Sequence, residues 1–207
     1  MFALTADQVD SRHSDDLVEG QLTELARLGG ARLLLPPDRS AGDELQLATA
    51  DAATALAAVL HLTRDGRWSV GLAIGEVRYP LPTSTRALAG SAFELARRAV
   101  ETAKKRQLRF ALEIEEGRHP DVATLQPLIE LLLQLRARRT PEGWELAELL
   151  REGLTQKQAA KRLGITPQAV SLRAQSAHLR IEIAAQTALA TLLGESSSPS
   201  DPTQSAE

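Results

Sequence analysis

Apolar positions in the first two thirds of the chain follow two spacings, one typical of strands and one typical of helices. Short apolar or alternating runs predict strands over residues 1–6, 31–36, 45–49, 68–79 and 108–114. Apolar residues three and four positions apart predict helices over residues 15–28, 51–62 and 91–105. Turn-forming residues in the stretch PDRSAGDE predict a hairpin between the second and third strands. This order, βαββαβαβ, predicts an α+β sandwich with helices over one face of a sheet that contains antiparallel strands.

Helical patterns dominate the last third of the chain. Residues 121–138 are apolar around most of the helix circumference, which predicts a connector packed between two domains or at a subunit interface. Thr140 and Pro141 then predict the start of another helix, which runs through Leu150. Trp144 and the leucines of this helix are expected to complete a three-helix core with the segment that follows.

Residues 154–180 carry start and stop signals for two short helices. Thr155 can cap the first helix, and Gln158 three residues later can complete a capping box. Gly164 can adopt the left-handed conformation that ends this helix, and Thr166 with the proline after it can start the next. A turn of about three residues makes the two helices pack at a sharp angle, which is the arrangement of a helix-turn-helix.

The two faces of these helices differ in character. Small and apolar residues fall where the helices would meet: Ala159, Leu163, Ile165, Val170, Ala174 and Ala177. The opposite face of the second helix is polar and is suited to the edges of bases in the major groove. We therefore predict that this segment binds double-stranded DNA. A plain helical hairpin with a solvated polar face is the alternative interpretation.

Candidate DNA contacts come from both helices. Those of the second helix, suited to base edges, are Gln168, Ser171, Leu172, Arg173 and Gln175. Lys157, Lys161 and Arg162 of the first helix are suited to phosphates, which set affinity and salt dependence without reading sequence. The two capping residues, Thr155 and Thr166, are included as candidates at the helix starts.

Beyond this segment the helical pattern continues without a break to about Gly194. A stripe of mostly small residues recurs there at heptad spacing: Ala174, Ala177, Ile181, Ala184 and Ala188. Such a stripe permits either a helix pair between two subunits or packing against the connector. Residues 195–207 are polar and predict a disordered tail.

Charge is distributed unevenly along the chain. The 207 residues carry a net charge of −3, which by itself argues against a nucleic-acid partner. Residues 136–180 nevertheless hold nine Lys and Arg against four Asp and Glu, so a basic segment lies within an acidic chain. The absence of cysteine excludes disulfides and fits a reducing cytoplasm, and the four histidines are too scattered to predict a zinc site. No leader peptide or membrane span is predicted, so the expected location is the cytoplasm.

Four stretches resemble a known family. FALTADQVDSR, AGDELQ, VGLAIGEV and LAGSAFELARRAV resemble the SatD-like family, which is itself similar to class III nucleotidyl cyclase and GGDEF domains. The resemblance covers about residues 1–117 and implies a ferredoxin-like, cyclase-like fold. With the helix-turn-helix attached, the whole chain resembles actinobacterial regulators labelled MarR-like, although a MarR wing is not evident.

The resemblance implies a candidate ligand site in the N-terminal part. Asp7 ends the first strand and Asp43 lies in the neighbouring hairpin, where cyclases hold the divalent metals that bind nucleotide phosphates. Oxygen ligands of this kind suit Mg²⁺, so Mg²⁺ with a nucleotide is the candidate cofactor. Asp10 and Glu44 are nearby candidates. The alternative is that Asp7 caps a turn and that Asp43 only closes the hairpin.

One position departs from the cyclase pattern. The helix that should present an Asn and, one turn later, an Arg to the phosphates has Glu94 and Arg98 instead. A carboxylate beside a triphosphate adds repulsion where electrostatic stabilisation is needed, so catalysis is not expected. A cleft that binds a small ligand, or a fold kept for dimerisation, is consistent with these residues.

These observations predict a homodimeric, DNA-binding transcription regulator with a sensor or dimerisation domain and no enzymatic activity. The predicted parts are a SatD-like domain (1–117), a connector helix (118–139), a helix-turn-helix domain (140–194) and a tail (195–207). Two other hypotheses remain open at this stage. One is an active, metal-dependent nucleotide-processing enzyme with an accessory DNA-binding domain, and the other is an adaptor whose terminal helices bind protein.

Overall fold

A five-stranded mixed sheet organises the N-terminal half of the protein. The computed structural model describes residues 1–198. The strands are β1 (Phe2–Gln8), β2 (Asp38–Ala41), β3 (Glu44–Thr49), β4 (Trp68–Ile74) and β5 (Phe110–Ile114). Their spatial order is β2-β3-β1-β4-β5, with antiparallel pairing throughout except between β4 and β5. The protein is thus of the α+β class.

Eight α-helices accompany the sheet within residues 1–198. They are α1 (Val18–Gly29), α2 (Ala52–Leu62), α3 (Ser91–Ala103), α4 (Val122–Ala137), α5 (Pro141–Arg151), α6 (Gln156–Leu163), α7 (Pro167–Ser176) and α8 (Leu179–Ser197). The order of strands and helices up to β5 is βαββαβαβ, as predicted, although the second strand lies at Asp38–Ala41 and not over residues 31–36. The last residues, 199–207, lie outside the described part, and so does most of the predicted tail. Residues 195–197, assigned to that tail, belong to α8, and Ser196 is fully buried.

The predicted strand over residues 31–36 is wrong. Residues 30–32 form a short 3₁₀ turn, and the stretch contributes a single bridge, from Leu33 to Thr49. Pro36 and Pro37 follow, and because proline has no N–H to donate, they end regular pairing there. The strand next to β3 is instead the polar β2, which was expected to be part of the turn.

Helices cover both faces of the sheet, so the prediction that they lie over one face is wrong. Phe2 and Leu4 of β1 belong to the larger core, which is shared with α1, α2, α4 and α8. Ala3, between them, belongs to a second core that includes buried residues of α3. The alternation of β1 therefore sends large apolar side chains to one face and small ones to the other.

The α3 face of the sheet is packed so closely that it needs a glycine. A Cβ on Gly71, in the middle of β4, would lie 2.3 Å from the backbone nitrogen of Val100 and 2.6 Å from the carbonyl oxygen of Ala96. Neither backbone atom can move without shifting α3. Gly71, a weak strand former in the sequence, is thus required by this close helix approach.

Helices α4 and α8 belong to the larger core, although they follow the predicted N-terminal domain of residues 1–117. Leu125 and Ile129 of α4 and Leu189 and Leu193 of α8 are buried in the same cluster as the sheet. Leu131, on the other side of α4, is 69% exposed. Helix α4 is therefore packed on one side within this chain. The second half of α8 packs against α2 and α4 and not against the three-helix unit, which consists of α5, α6 and α7.

Trp144 lies at the junction between the sheet with its packed helices and the unit formed by α5, α6 and α7. Its ring is contacted by three guanidinium groups, those of Arg64, Arg136 and Arg139, with the Cζ atoms 4.5, 4.7 and 4.5 Å from the ring centroid. Such cation–π contacts favour a fixed ring and fixed guanidinium planes. The sequence predicted that Trp144 completes the three-helix core, and this prediction is wrong. Trp144 instead joins α5 to the end of α4 and the loop after α2.

A buried carboxylate completes this junction. Glu182 of α8 pairs with both Arg136 and Arg139, and the Glu182 and Arg139 side chains are 6% and 1% exposed. Arg136 also donates to the carbonyl oxygen of Leu60, and Arg139 donates to that of Ala177, both at 3.0 Å. Burial lowers the pKa of Arg136, and Glu182 acts against this shift. The two arginines thus hold α2, α4, α7 and α8 to one point.

We expect Glu182→Gln to lower the free energy of unfolding by about 3–5 kcal/mol, because it leaves two buried guanidinium groups without a carboxylate. Glu145→Gln is the matched control, since Glu145 pairs with Arg173 but is 58% exposed. That control should cost less than about 1 kcal/mol. Urea unfolding followed by circular dichroism measures both, and equal effects of the two substitutions would contradict the account of the junction.

Candidate functional site

The segment formed by α6, the turn and α7 has the local structure that its sequence predicts. The Thr155 hydroxyl accepts from the Gln158 backbone at 3.3 Å, and the Gln158 side chain accepts from the Thr155 backbone at 2.8 Å, which is a capping box. Gly164 ends α6 in the left-handed conformation, with φ 65°. The Thr166 hydroxyl then caps α7 by accepting from Ala169 at 3.1 Å. Both threonines therefore serve as caps in this structure.

A small core holds α5, α6 and α7 together. The predicted contact residues all belong to it, with Ala159, Val170 and Ala177 buried and Leu163, Ile165 and Ala174 partly buried. Leu146 of α5 is fully buried between them. Because many of these core side chains are small, α6 and α7 approach each other closely. The outer face of α7 remains in solvent.

That outer face of α7 has polar side chains and one large apolar side chain. Gln168, Ser171 and Gln175 are exposed, and their side chains form no hydrogen bonds to residues 1–198. Leu172 is 64% exposed among them. We call these four residues the α7 face. Its donors, acceptors and apolar surface are all available to a partner.

The cations around the α7 face fall into two groups. Lys157, Lys161 and Arg162 of α6 are exposed, and none lies within 4.0 Å of a carboxylate in the described part of the chain. Arg173, predicted to contact bases, pairs through Nη1 with Glu145 of α5 at 3.3 Å, and its side chain is 24% exposed. The other N–H donors of its guanidinium take no part in this pair.

Helices α7 and α8 are separate, so the prediction of one unbroken helix is wrong. His178 has φ 55°, a left-handed conformation that ends α7 and redirects the chain before α8 begins. Within the predicted stripe, Ala177 is buried in the small core. Ile181, Ala184 and Ala188 lie beyond the break and are exposed on α8.

The predicted carboxylates of the N-terminal part lie at one end of the sheet but have separate partners. Asp7 lies opposite Glu44 in the register of β1 and β3, and its carboxylate accepts from the Lys104 ammonium at 2.9 Å. Asp43 is in the turn before β3, and its carboxylate accepts from the Ser11 hydroxyl. At the surface, the Asp10 carboxylate accepts from His13 Nδ1 at 2.7 Å, and Asp10 has φ 54°.

The sequence predicted a shared site for Asp7 and Asp43, and in the structure each of the two carboxylates has a partner of its own. The alternation of β1 places Asp7 on the side of α3, where Lys104 is located. Asp43 lines a depression of about 370 Å³ that Asp7 does not line. In residues 1–198 no group of three Asp, Glu, His or Cys side chains has the geometry to hold a metal ion.

Lys104 fixes the charge at the Asp7 end of the sheet. Burial by itself would lower the pKa of Lys104, but hydrogen bonds to Glu101 and Asp7 raise it above the usual value. The ammonium therefore stays charged at neutral pH and neutralises Asp7. This ammonium occupies one oxygen of the Asp7 carboxylate, Oδ2.

Glu94 and Arg98 lie away from these carboxylates. Both are exposed on α3, and Arg98 is 3.5 Å from Glu113 of β5. Ten residues separate Glu94 from Lys104, which is about 15 Å along a helix axis. The structure therefore does not bring Glu94 and Asp7 to one cleft.

Sequence reasoning did not find the cluster around Trp144. Arg136 lies in the last turn of α4, and Arg139 follows the C-cap residue Arg138, outside the helix. Helical spacing therefore gave no signal for this pair. Their partner Glu182, 43 residues after Arg139, could not be identified without the fold.

Three comparisons of this chain, with protein-family models, with curated proteins and with solved structures, gave no match. Across residues 1–198, no helix combines the length and the apolar character that crossing a bilayer requires.

Proposed function

We propose that the protein is a sequence-specific, DNA-binding transcription regulator in which α6 and α7 act as a helix-turn-helix. The observation that carries this proposal is the α7 face, whose polar side chains have no partner in the described chain, next to the unpaired cations of α6. Leu172, exposed among these amides, adds an apolar contact surface to a face that is otherwise polar.

In the proposed complex, α7 lies in the major groove. Gln168 lies in the first turn of α7, the part of a recognition helix that reaches base edges. Glutamine can bond adenine through two hydrogen bonds, and Leu172 can lie against a thymine methyl group. Ser171 and Gln175 lie three and seven positions after Gln168, so they share its side of the helix.

The cations of α6 contact phosphates in this proposal. Lys157 and Lys161 are one helical turn apart, and Arg162 follows directly. Contacts of this kind add affinity to any duplex and make binding weaken as salt rises. The local basic excess over residues 136–180 supports this role, although Arg136 and Arg139 pair with the buried Glu182 and Arg173 pairs with the exposed Glu145.

We further propose a homodimer that reads an inverted repeat. One recognition helix reads only a short half-site, and two-fold symmetric pairs are the common way to gain affinity and specificity. The exposed Ile181, Ala184 and Ala188 of α8 offer a stripe along which two copies can pack.

The N-terminal part is proposed as a SatD-like, cyclase-like domain that senses a small ligand or builds the dimer. Its support is the order β2-β3-β1-β4, in which every neighbour is antiparallel, as in a split βαβ arrangement. The position of α3 on the other face is a departure from a two-layer sandwich. No observation comparably favours an active nucleotide-processing enzyme, because Asp7 pairs with Lys104 and Glu94 lies far along α3.

Gln168→Ala tests the reading of bases. We expect it to change which duplexes are preferred, with a loss of about 1–3 kcal/mol in discrimination at one base pair of the bound site. Gln134→Ala on α4 is the matched control and should leave the preference unchanged. The measurement is competitive binding of a panel of single-base variants of a selected site. If Gln168→Ala and the control behaved alike, α7 would not be the reading element.

Lys161→Ala tests the phosphate contact. We expect weaker binding to all duplexes alike, and a slope of log K against log salt that is shallower by about 1. Lys105→Ala is the control, since Lys105 is an exposed lysine just after α3. Titrations at four salt concentrations by fluorescence anisotropy give the slope. A loss confined to one sequence, or an unchanged slope, would contradict the assigned role.

A further inference from the structure

Most of the large apolar side chains that this protein exposes lie on α4 and α8. Within residues 1–198 six such side chains are exposed, and four of them belong to these two helices. They are Leu128 and Leu131 of α4 and Ile181 and Ile183 of α8, and the last three are each more than half exposed. Single exposed apolar residues are ordinary, but a cluster of them marks an interaction surface.

Helices α4 and α8 lie side by side and run in opposite directions. Arg136, near the end of α4, pairs with Glu182, near the start of α8. At the other end, Arg118 lies shortly before α4 and donates to the carbonyl oxygen of Ser197, at the end of α8, at 3.1 Å. Contacts at both ends therefore keep the two helices aligned along their lengths.

The exposed leucines of α4 lie on the side of that helix that borders α8. Gln126 accepts from the backbone N–H of Leu112 at 2.8 Å, and Leu112 belongs to the edge strand β5. Gln126 therefore marks the side of α4 that lies at the edge of the sheet. Leu128 and Leu131 are about 200° and 140° around the helix from Gln126, so they are turned inward, toward α8.

Exposed apolar residues of α8 lie on the side next to α4. A Cβ added to Gly194 would be 3.9 Å from the Cβ of Ala52, so Gly194 marks the side of α8 that packs on α2. Ile181 and Ala188 are about 120–140° around the helix from Gly194, on the side away from α2. We call the exposed apolar residues along this shared border the α4–α8 face, and they are Leu128, Leu131, Ile181, Ala184 and Ala188.

The surroundings of the α4–α8 face carry no charge. Every exposed residue over 123–131 on α4 and over 181–191 on α8 is uncharged. The exposed Thr187 and Thr191 donate their hydroxyls to carbonyl oxygens one turn earlier in α8, at 3.1 and 3.2 Å, so these groups already have partners. Depletion of charge is the compositional mark of the centre of a protein–protein interface.

Charged residues of opposite sign lie at the two ends of this face. Arg138 and Arg180 lie at one end, where α4 finishes and α8 starts, and Asp121 and Glu195 lie at the other. All four are exposed, and in the described part of the chain none of them takes part in an ion pair. A second copy turned end to end brings the arginines of each copy beside the carboxylates of the other.

We propose that two copies of this chain pack through the α4–α8 face, with the helices of one copy antiparallel to those of the other. This inference rests on the homodimer proposed above and assigns its surface and orientation. The small side chains of Ala184 and Ala188 leave a shallow groove on α8, into which Leu131 of the second copy fits. Because the contact is two-fold symmetric, the same insertion occurs twice.

The size of the face suits a dimer. Between their charged ends, α4 and α8 are each about 25 Å long, and two neighbouring helices are about 20 Å wide. These dimensions give roughly 500 Å² in projection, before the relief of the side chains is counted, against about 800 Å² of accessible surface per partner in a standard interface. The face is therefore large enough for a reversible dimer.

Sedimentation equilibrium of the whole chain, without DNA, tests the surface. We expect a monomer–dimer equilibrium for the wild-type protein. Leu131→Glu should raise the dimer dissociation constant about a hundredfold or more, because it removes a buried leucine from each copy and adds two like charges. Leu172→Glu is the matched control, since Leu172 is a similarly exposed leucine on the α7 face, and it should dimerise as the wild type does.

Circular dichroism checks that both variants keep the wild-type fold, as expected for substitutions at exposed positions. A wild-type chain that stays monomeric at its highest soluble concentration would overturn the proposal. Equal dissociation constants for Leu131→Glu and Leu172→Glu would overturn it as well.

Cysteine cross-linking tests the orientation of the two copies. The chain contains no cysteine, so a single introduced thiol reports a single contact. Ala188 lies midway between Arg180 and Glu195, which places it close to the two-fold axis of the antiparallel arrangement. Ala188→Cys should therefore form a disulfide-linked dimer under mild air oxidation, and the control Ser171→Cys, on the α7 face, should not. Equal cross-linking of the two variants would overturn this arrangement.

These measurements contain no DNA, so they separate the dimer surface from the proposed DNA binding. A chain that dimerises through the α4–α8 face but selects no duplex would contradict the role of α7 and support this surface. A monomeric chain that selects a single half-site without symmetry would overturn this surface and leave α7 as the reading element.

Discussion

The buried Glu182 carboxylate, held between Arg136 and Arg139, is the interaction on which the arrangement of this protein depends. It fixes the start of α8 to the end of α4, and the two arginines in turn contact Trp144 of α5. The three-helix unit has only a small apolar core of its own. Its orientation relative to the sheet therefore depends on a charged, hydrogen-bonded junction and not on a wide apolar interface. Buried charges of this kind tolerate few alternative geometries, because each lost partner leaves a costly unpaired group.

Ion pairs within the protein also explain why the sequence count for residues 136–180 exceeds the number of cations that are free to bind a partner. Three arginines of this segment are engaged within the protein, two with Glu182 and one with Glu145. The remaining exposed cations of α6 are the ones that flank the α7 face. The proposed DNA contacts are thus fewer than the sequence count suggests, but they lie together on the two helices that share the small core.

Local signals in the sequence were sufficient for individual helices and strands. The capping box at Thr155, the left-handed Gly164 and the small residues between α6 and α7 each depend on neighbours within a few positions. The same holds for the βαββαβαβ order. Where the prediction failed, one or two residues changed the backbone locally, as Pro36 and Pro37 did before β2 and His178 did between α7 and α8. A left-handed histidine is not readable from apolar periodicity.

The parts that could not be predicted depend on contacts between distant residues. The side of the sheet on which α3 packs follows from the register of β1 and the missing side chain of Gly71. The same register sends Asp7 to Lys104 and away from Asp43, so two carboxylates that resemble a metal pair in sequence have separate environments. Pairing of Glu182 with arginines more than 40 positions away is likewise a property of the fold.

Selection of bound duplexes from a random library by the purified protein, at near-physiological salt, tests the central claim most directly. The account predicts enrichment of one sequence motif with two-fold symmetry, whose half-sites are about one helical turn apart. It also predicts that Gln168→Ala alters the enriched base pairs while the symmetry stays the same. Recovery of duplexes with no motif enriched above the starting library would contradict the assignment of α7 as a recognition helix.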